Sequence, residues 1–172
     1  MHTDSLGQLI DRLIIAQLKV WHYRQDQKEE AAQVAGEQAE GLAAAIETYL
    51  WECLSGRRVP LIQHHLRYHD HNRTEAWRPG KKATEMTPES ISGCILRLVE
   101  THAGYWRAQS RIQALKKLID TAPSITEKHH FEQEFIKLQR QEIDLANQQR
   151  NETITQLDHL FAAYHDARKG SA

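Results

Sequence analysis

Apolar residues recur along this chain at helical spacing, in four long stretches broken by one long polar and basic connection. In the first stretch Leu6, Leu9, Ile10, Leu13, Ile14, Leu18 and Trp21 return every three or four residues, predicting a helix from Asp4 to Arg24. Ile15 and Val20 widen its apolar arc to about two-thirds of the circumference at 100° per residue, as expected of a central or interface helix. A second helix is predicted from Gln27 to Leu54. It begins polar and alanine-rich and ends on a stripe of Leu42, Ile46, Tyr49, Leu50 and Leu54, with Ser55-Gly56 as its stop. Gly36 and Gly41 lower its propensity and permit close packing.

A third helix is expected to open at Thr87-Pro88-Glu89, a cap followed by proline at the first helical position. Ile91, Cys94, Ile95, Leu98, Tyr105, Trp106, Ile112 and Ile119 carry its face until Ala122-Pro123. Ser124-Ile125-Thr126-Glu127 is a capping-box pattern that starts the last helix, which runs to Arg168. Phe131, Phe135, Leu138 and Leu145 form its early face, and Ile143, Ile154, Leu157, Phe161 and Tyr164 the later one. The face turns by about 90° between these halves, which predicts curvature or a break near residues 140–146. The expected fold is therefore an all-α, single-domain bundle of about four long helices, residues 1–172, with one irregular connection at 55–86.

Composition supports a packed domain: 40% of the 172 residues are hydrophobic and 26% charged. No apolar run approaches the roughly 18 residues of a membrane span, no secretory signal is evident, and Cys53 and Cys94 are isolated. A cytoplasmic protein without a disulfide framework is the expectation. The net charge of −1 conceals an asymmetry. Between residues 55 and 82, seven cations (Arg57, Arg58, Arg67, Arg73, Arg78, Lys81, Lys82) face only Asp70 and Glu75, a net +5 that leaves −6 elsewhere. Such a patch suggests a local site for an anionic small molecule, with Arg57, Arg67 and Arg73 as contacts and Tyr68 beside them.

Several polar residues interrupt the apolar faces. Asp11 and His22 share one face of the first helix, eleven residues or about 16 Å apart. His102 lies mid-face on the third helix and Arg150 mid-face on the last, with Asn147 one turn away. Burying such groups unpaired costs several kcal/mol, so partners are expected. Asp11 with Arg150 is the economical pair, a charge-assisted contact between the first and last helices. These groups either fix helix register or line a polar pocket opening toward the basic connection.

Two further chemistries have candidate residues. In His64-His65-Leu66-Arg67-Tyr68-His69-Asp70-His71, a helical conformation would put His65 and His69 one turn apart, with Asp70 or His22 as a third metal ligand. The surrounding arginines would repel a cation, so no metal and no other cofactor is expected. Arg97 and His102 have the R-x4-H spacing and resemble the catalytic motif of HEPN-type ribonucleases, which are small helical dimers. That resemblance implies His102 as acid/base or orienting group and Arg97 on the scissile phosphate. Arg97 points about 140° away from His102 on one helix, and Tyr105 follows the histidine by three residues where some members of that group have two. Signatures of common enzyme classes, including Gly-rich phosphate loops, G-x-S-x-G and H-E-x-x-H, do not occur.

Leu6-Gly7-Gln8-Leu9-Ile10-Asp11-Arg12-Leu13, followed by Leu18-Lys19-Val20-Trp21-His22, resembles the opening helix of a bacterial helical family classified only as a domain of unknown function. Arg67-Tyr68-His69-Asp70, with Asn72, resembles that family's lysine/arginine-x-tyrosine-asparagine-aspartate segment, His69 standing in place of asparagine. Gln149-Arg150-Asn151-Glu152 and Leu157-Asp158 resemble its ending. The resemblance selects Asp11, Lys19, His22, Tyr68, Asp70, Arg150, Asn151 and Asp158. It implies an association with cell-surface sugar transfer and names no reaction. The expected function is an accessory or binding protein, homodimeric, that recognises an anionic small molecule such as a sugar nucleotide, or else a protein partner. The alternatives are the ribonuclease and a purely structural interaction module. Nucleic acid is not the favoured ligand and no membrane is involved.

Overall fold

The computed structural model describes residues 4–62 and 90–170, and they form an all-α bundle. Four long helices account for it: α1 (Leu6–Gln25), α2 (Glu29–Leu54), α3 (Ile91–Thr121), and a last helix made of α4 (Ile125–Leu138), a π-helical turn (Gln139–Ile143) and α5 (Asp144–Lys169). No strand occurs among the described residues.

Local chemistry accounts for each boundary. Ser5 caps α1 with a full capping box: its Oγ accepts the Gln8 N–H at 3.3 Å, and Gln8 Oε1 accepts the Ser5 N–H at 3.1 Å. α1 ends in a Schellman closure, in which the Lys28 and Gln27 N–H groups donate to the Tyr23 and Arg24 carbonyls. Gln27 takes the left-handed conformation there, at φ 58°, a position that favours glycine. α2 ends the same way with the expected residue: Gly56 sits at φ 74°, and Gly56 and Arg57 donate to the Cys53 and Glu52 carbonyls. α3 begins at Ile91, where Ser90 Oγ accepts the Gly93 N–H at 3.0 Å; the cap expected at Thr87 lies outside the described residues. Ser124 caps α4 by accepting the Glu127 N–H, but its hydroxyl donates to the Glu127 carboxylate, so the reciprocal half of the box does not form. The break expected near 140–146 is the π turn, whose extra residue per turn re-aims the apolar stripe and leaves both Leu138 and Ile143 buried.

Packing divides the described residues into two compact units. The first, made of the described residues of 1–98 and 151–172, holds two clusters of buried side chains. One is Leu6, Leu9, Tyr49, Cys53 and Phe161, and the other Cys94, Leu98, Ile154 and Leu157. The second, residues 99–150, has a single cluster of Ala108, Ile112, Leu138 and Ile143, flanked by Tyr105, Leu115 and Phe135.

Four of the expected core positions are corrected, Leu145 among them, which is exposed. Trp21, Leu54 and Tyr164 are each more than half exposed. In α2 the inward face runs through Ala32, Ala35 and Ala39 to Tyr49 and Cys53, because small alanines let α1 approach closely and shift the stripe one residue from Leu54.

Candidate functional site

The open end of the α1/α2 hairpin brings together the first turn of α1 and the last turn of α2, each with orphaned backbone groups of opposite polarity. α5 supplies a partner to both. Asp158, 1% exposed, accepts the Gly7 N–H at 2.7 Å, a charge-assisted bond at the positive end of α1. His165, one heptad later, has Nε2 3.1 Å from the Cys53 carbonyl, which only accepts, so Nε2 carries the proton. Its Nδ1 lies 3.2 Å from Asp166 Oδ1. Gly7 is required by the closeness of this docking: a Cβ there would lie 2.7 Å from the Ile154 carbonyl oxygen and 2.9 Å from Asp158 Oδ1.

The basic connection leaves from the same end. Its first residues are tied to α2: the Tyr49 hydroxyl accepts the Leu61 N–H at 2.8 Å, and Pro60 is buried. Arg58 stacks 4.3 Å above the Tyr49 ring and pairs with Glu52 at 3.3 Å. Arg57 lies 4.1 Å above the exposed Trp51 ring and has no carboxylate partner among the described residues. The two guanidiniums also offset the negative end of α2. Burial raises the Tyr49 hydroxyl above its ordinary value, against the lowering effect of the Leu61 bond. Burial likewise raises the Cys53 and Cys94 thiols, making them poor nucleophiles.

The residues singled out by sequence fall as follows. Asp11 is fully buried in α1 of the first unit. His22 is half-buried, its ring edge-on to Trp21 at 4.6 Å. Asn151 and Arg97 are half-buried in the first unit, and the Asn151 carbonyl accepts the Thr155 hydroxyl. Arg150 is half-buried and closes the second unit. His102, also in the second unit, is 8% exposed, whereas phosphodiester cleavage needs an imidazole open to substrate. Arg67, Tyr68, Asp70, Arg73, His65 and His69 lie outside the described residues. Among the described residues no group of three His, Cys, Asp or Glu side chains is placed to hold a metal ion, and no helix is long and apolar enough to cross a membrane.

Three participants were missed by sequence reasoning. His165 follows Leu157 and Phe161 on one helical face, a signal that would have placed it inward. Gly7 and the Tyr49 hydroxyl carry no such mark, because a close approach and a backbone partner arise only in the folded chain. No protein-family model matches this chain, and neither the curated proteins nor the solved structures contain a significant match.

Proposed function

We propose that this chain is a non-catalytic helical binding protein for an anionic, phosphate-bearing small molecule, a sugar nucleotide being the concrete case. The supporting observation is the root of the basic connection. There Arg57 is held on the face of the exposed Trp51 indole with no carboxylate neutralising it among the described residues. A guanidinium stacked on an indole is oriented in advance, leaving its N–H fork for two phosphate oxygens and the adjoining ring edge for a base or sugar. Arg67, Arg73 and Tyr68 join this reading on sequence grounds alone, as does the suggested link to sugar transfer.

Thermal shift against uridine diphosphate sugars and inorganic pyrophosphate tests it. A ligand at 100 times its dissociation constant adds about 2.7 kcal/mol, and the triple change Arg57→Ala, Arg67→Ala, Arg73→Ala should abolish that shift. If no phosphate compound moves the wild-type transition, the ligand reading fails and a protein partner takes its place.

A further inference from the structure

The hairpin formed by α1 and α2 carries its charges on opposite sides. α2 has six glutamates (Glu29, Glu30, Glu37, Glu40, Glu47, Glu52) and no lysine or arginine. Among the described residues only Glu52 of these six has a cationic partner, Arg58. α1 is the reverse: its one acid, Asp11, is buried, and its cations are Arg12, Lys19 and Arg24. Between the two helices runs an open groove of about 400 Å³. Leu9, Ile15, Ala16, Leu42 and Ala45 line its apolar part, with Arg12 and Lys19 on the α1 rim and Gln38 and Gly41 on the α2 rim. Arg12 shares its charge with Asp4 at 2.7 Å, whereas Lys19 has no ion pair among the described residues. Next along the α2 rim, Val34 is 51% exposed.

We propose that this groove face is where two copies of the chain pair, α1 of each against α2 of the other. An isologous interface between two hairpins has two simple arrangements, because the two-fold axis lies in the interface either along the helices or across them. An axis across the helices stacks α1 on α1 and α2 on α2, setting Arg12 and Lys19 against cations and Glu30 and Glu37 against carboxylates. An axis along the helices lays α1 on the partner's α2, and only this arrangement joins opposite charges. It also sets the register. Arg12 and Gly41 line one stretch of groove, so a partner related by that axis brings its own α2 to Arg12 at the same height. Lys19, seven residues on, then stands opposite the partner's Val34, which places the partner's Glu37 between the two cations and its Glu30 one turn beyond Lys19. Gly41 is exposed and a Cβ there meets nothing within 4 Å, so the α2 rim leaves room for a second helix. The inference is independent of the ligand reading.

Sedimentation equilibrium at low and high salt, with circular dichroism as the folding control, is the test. The wild type is expected to be a dimer that weakens as salt screens the pairs. Arg12→Glu with Lys19→Glu, and separately Glu30→Lys with Glu37→Lys, should each weaken it by about a hundredfold, since like charges are then opposed. Mixing the two double variants should restore a heterodimer. Gly41→Trp should also give a folded monomer by filling the groove. A wild type that stays monomeric at 100 µM in low salt overturns the proposal. So does a dimer that neither charge reversal nor Gly41→Trp disturbs.

Discussion

The two compact units are built from the same kind of helix yet hold themselves together differently. The first buries Asp11, Asp158, His165 and the Tyr49 ring alongside its apolar clusters, and its helix ends are satisfied by side chains distant in sequence. The second buries one polar side chain, His102, beside a single cluster of four apolar residues, and is built from three helix stretches and a π turn, with Arg111 and Glu142 paired at 2.7 Å on its exposed surface. Polar burial demands one geometry, because a misplaced carboxylate costs far more than a misplaced methyl group. A small apolar cluster tolerates rearrangement and opens locally at low free energy. The contrast teaches that precise placement, and with it the tethered root of the basic connection, belongs to the first unit.

The largest expected effect would break the contrast if it failed. Leu138→Ala removes a principal member of the second unit's only cluster and should cost about 3 kcal/mol. Hydrogen exchange should then show faster amides within residues 99–150 while α1 and α2 keep their protection. Equal loss in both would mean that the chain unfolds as one block. Gly7→Ala, in the first unit, forces a Cβ against the Ile154 carbonyl and Asp158, for an expected loss of about 2 kcal/mol. Gly36→Ala is its control. Nothing lies within 4 Å of that added Cβ, so the melting temperature should rise slightly as helix propensity improves.

A smaller effect sharpens the comparison. Tyr49→Phe deletes the acceptor of the Leu61 N–H and should cost about 1 kcal/mol, with faster exchange at Leu61 as its local signature. The raised Tyr49, Cys53 and Cys94 groups all lie in the first unit. The folded state holds these protons more tightly than the unfolded chain does. Their stabilising contribution is therefore complete below the unfolded thiol value of 9.0 and is lost as pH rises through the folded values. Alkaline denaturation curves should show that loss above pH 9, reduced in a Cys53→Ala, Cys94→Ala variant.

Much of the fold was legible because its signals are local. Ser55-Gly56 and Ser124 mark boundaries through hydrogen bonds to neighbours a few residues away, and the stripe that shifts between Phe135 and Ile154 predicts a break near 140–146, which the π turn supplies. Exposure was harder to read. Trp21 and Leu54 lie on apolar stripes but outside the narrow line where alanines admit the neighbouring helix. The site was legible only in part. Asp11 stands out as a carboxylate on an apolar face and Asp158 enters only through the family resemblance, whereas Gly7, and the role of Arg57 on Trp51, depend on distances that no spacing encodes.

The clamp of Asp158 and His165 also bears on the order of events during synthesis. It joins residues 151 and 112 positions apart along the chain. At roughly 5–20 residues per second, a ribosome takes several seconds or more to travel from Cys53 to His165. Throughout that interval the hairpin can form, but both of its open ends must rely on water for the hydrogen bonds α5 will later supply. Completion of the first unit therefore waits on the synthesis of α5, and a nascent chain arrested before Asp158 should be cut by protease at the hairpin mouth where a chain that includes α5 resists.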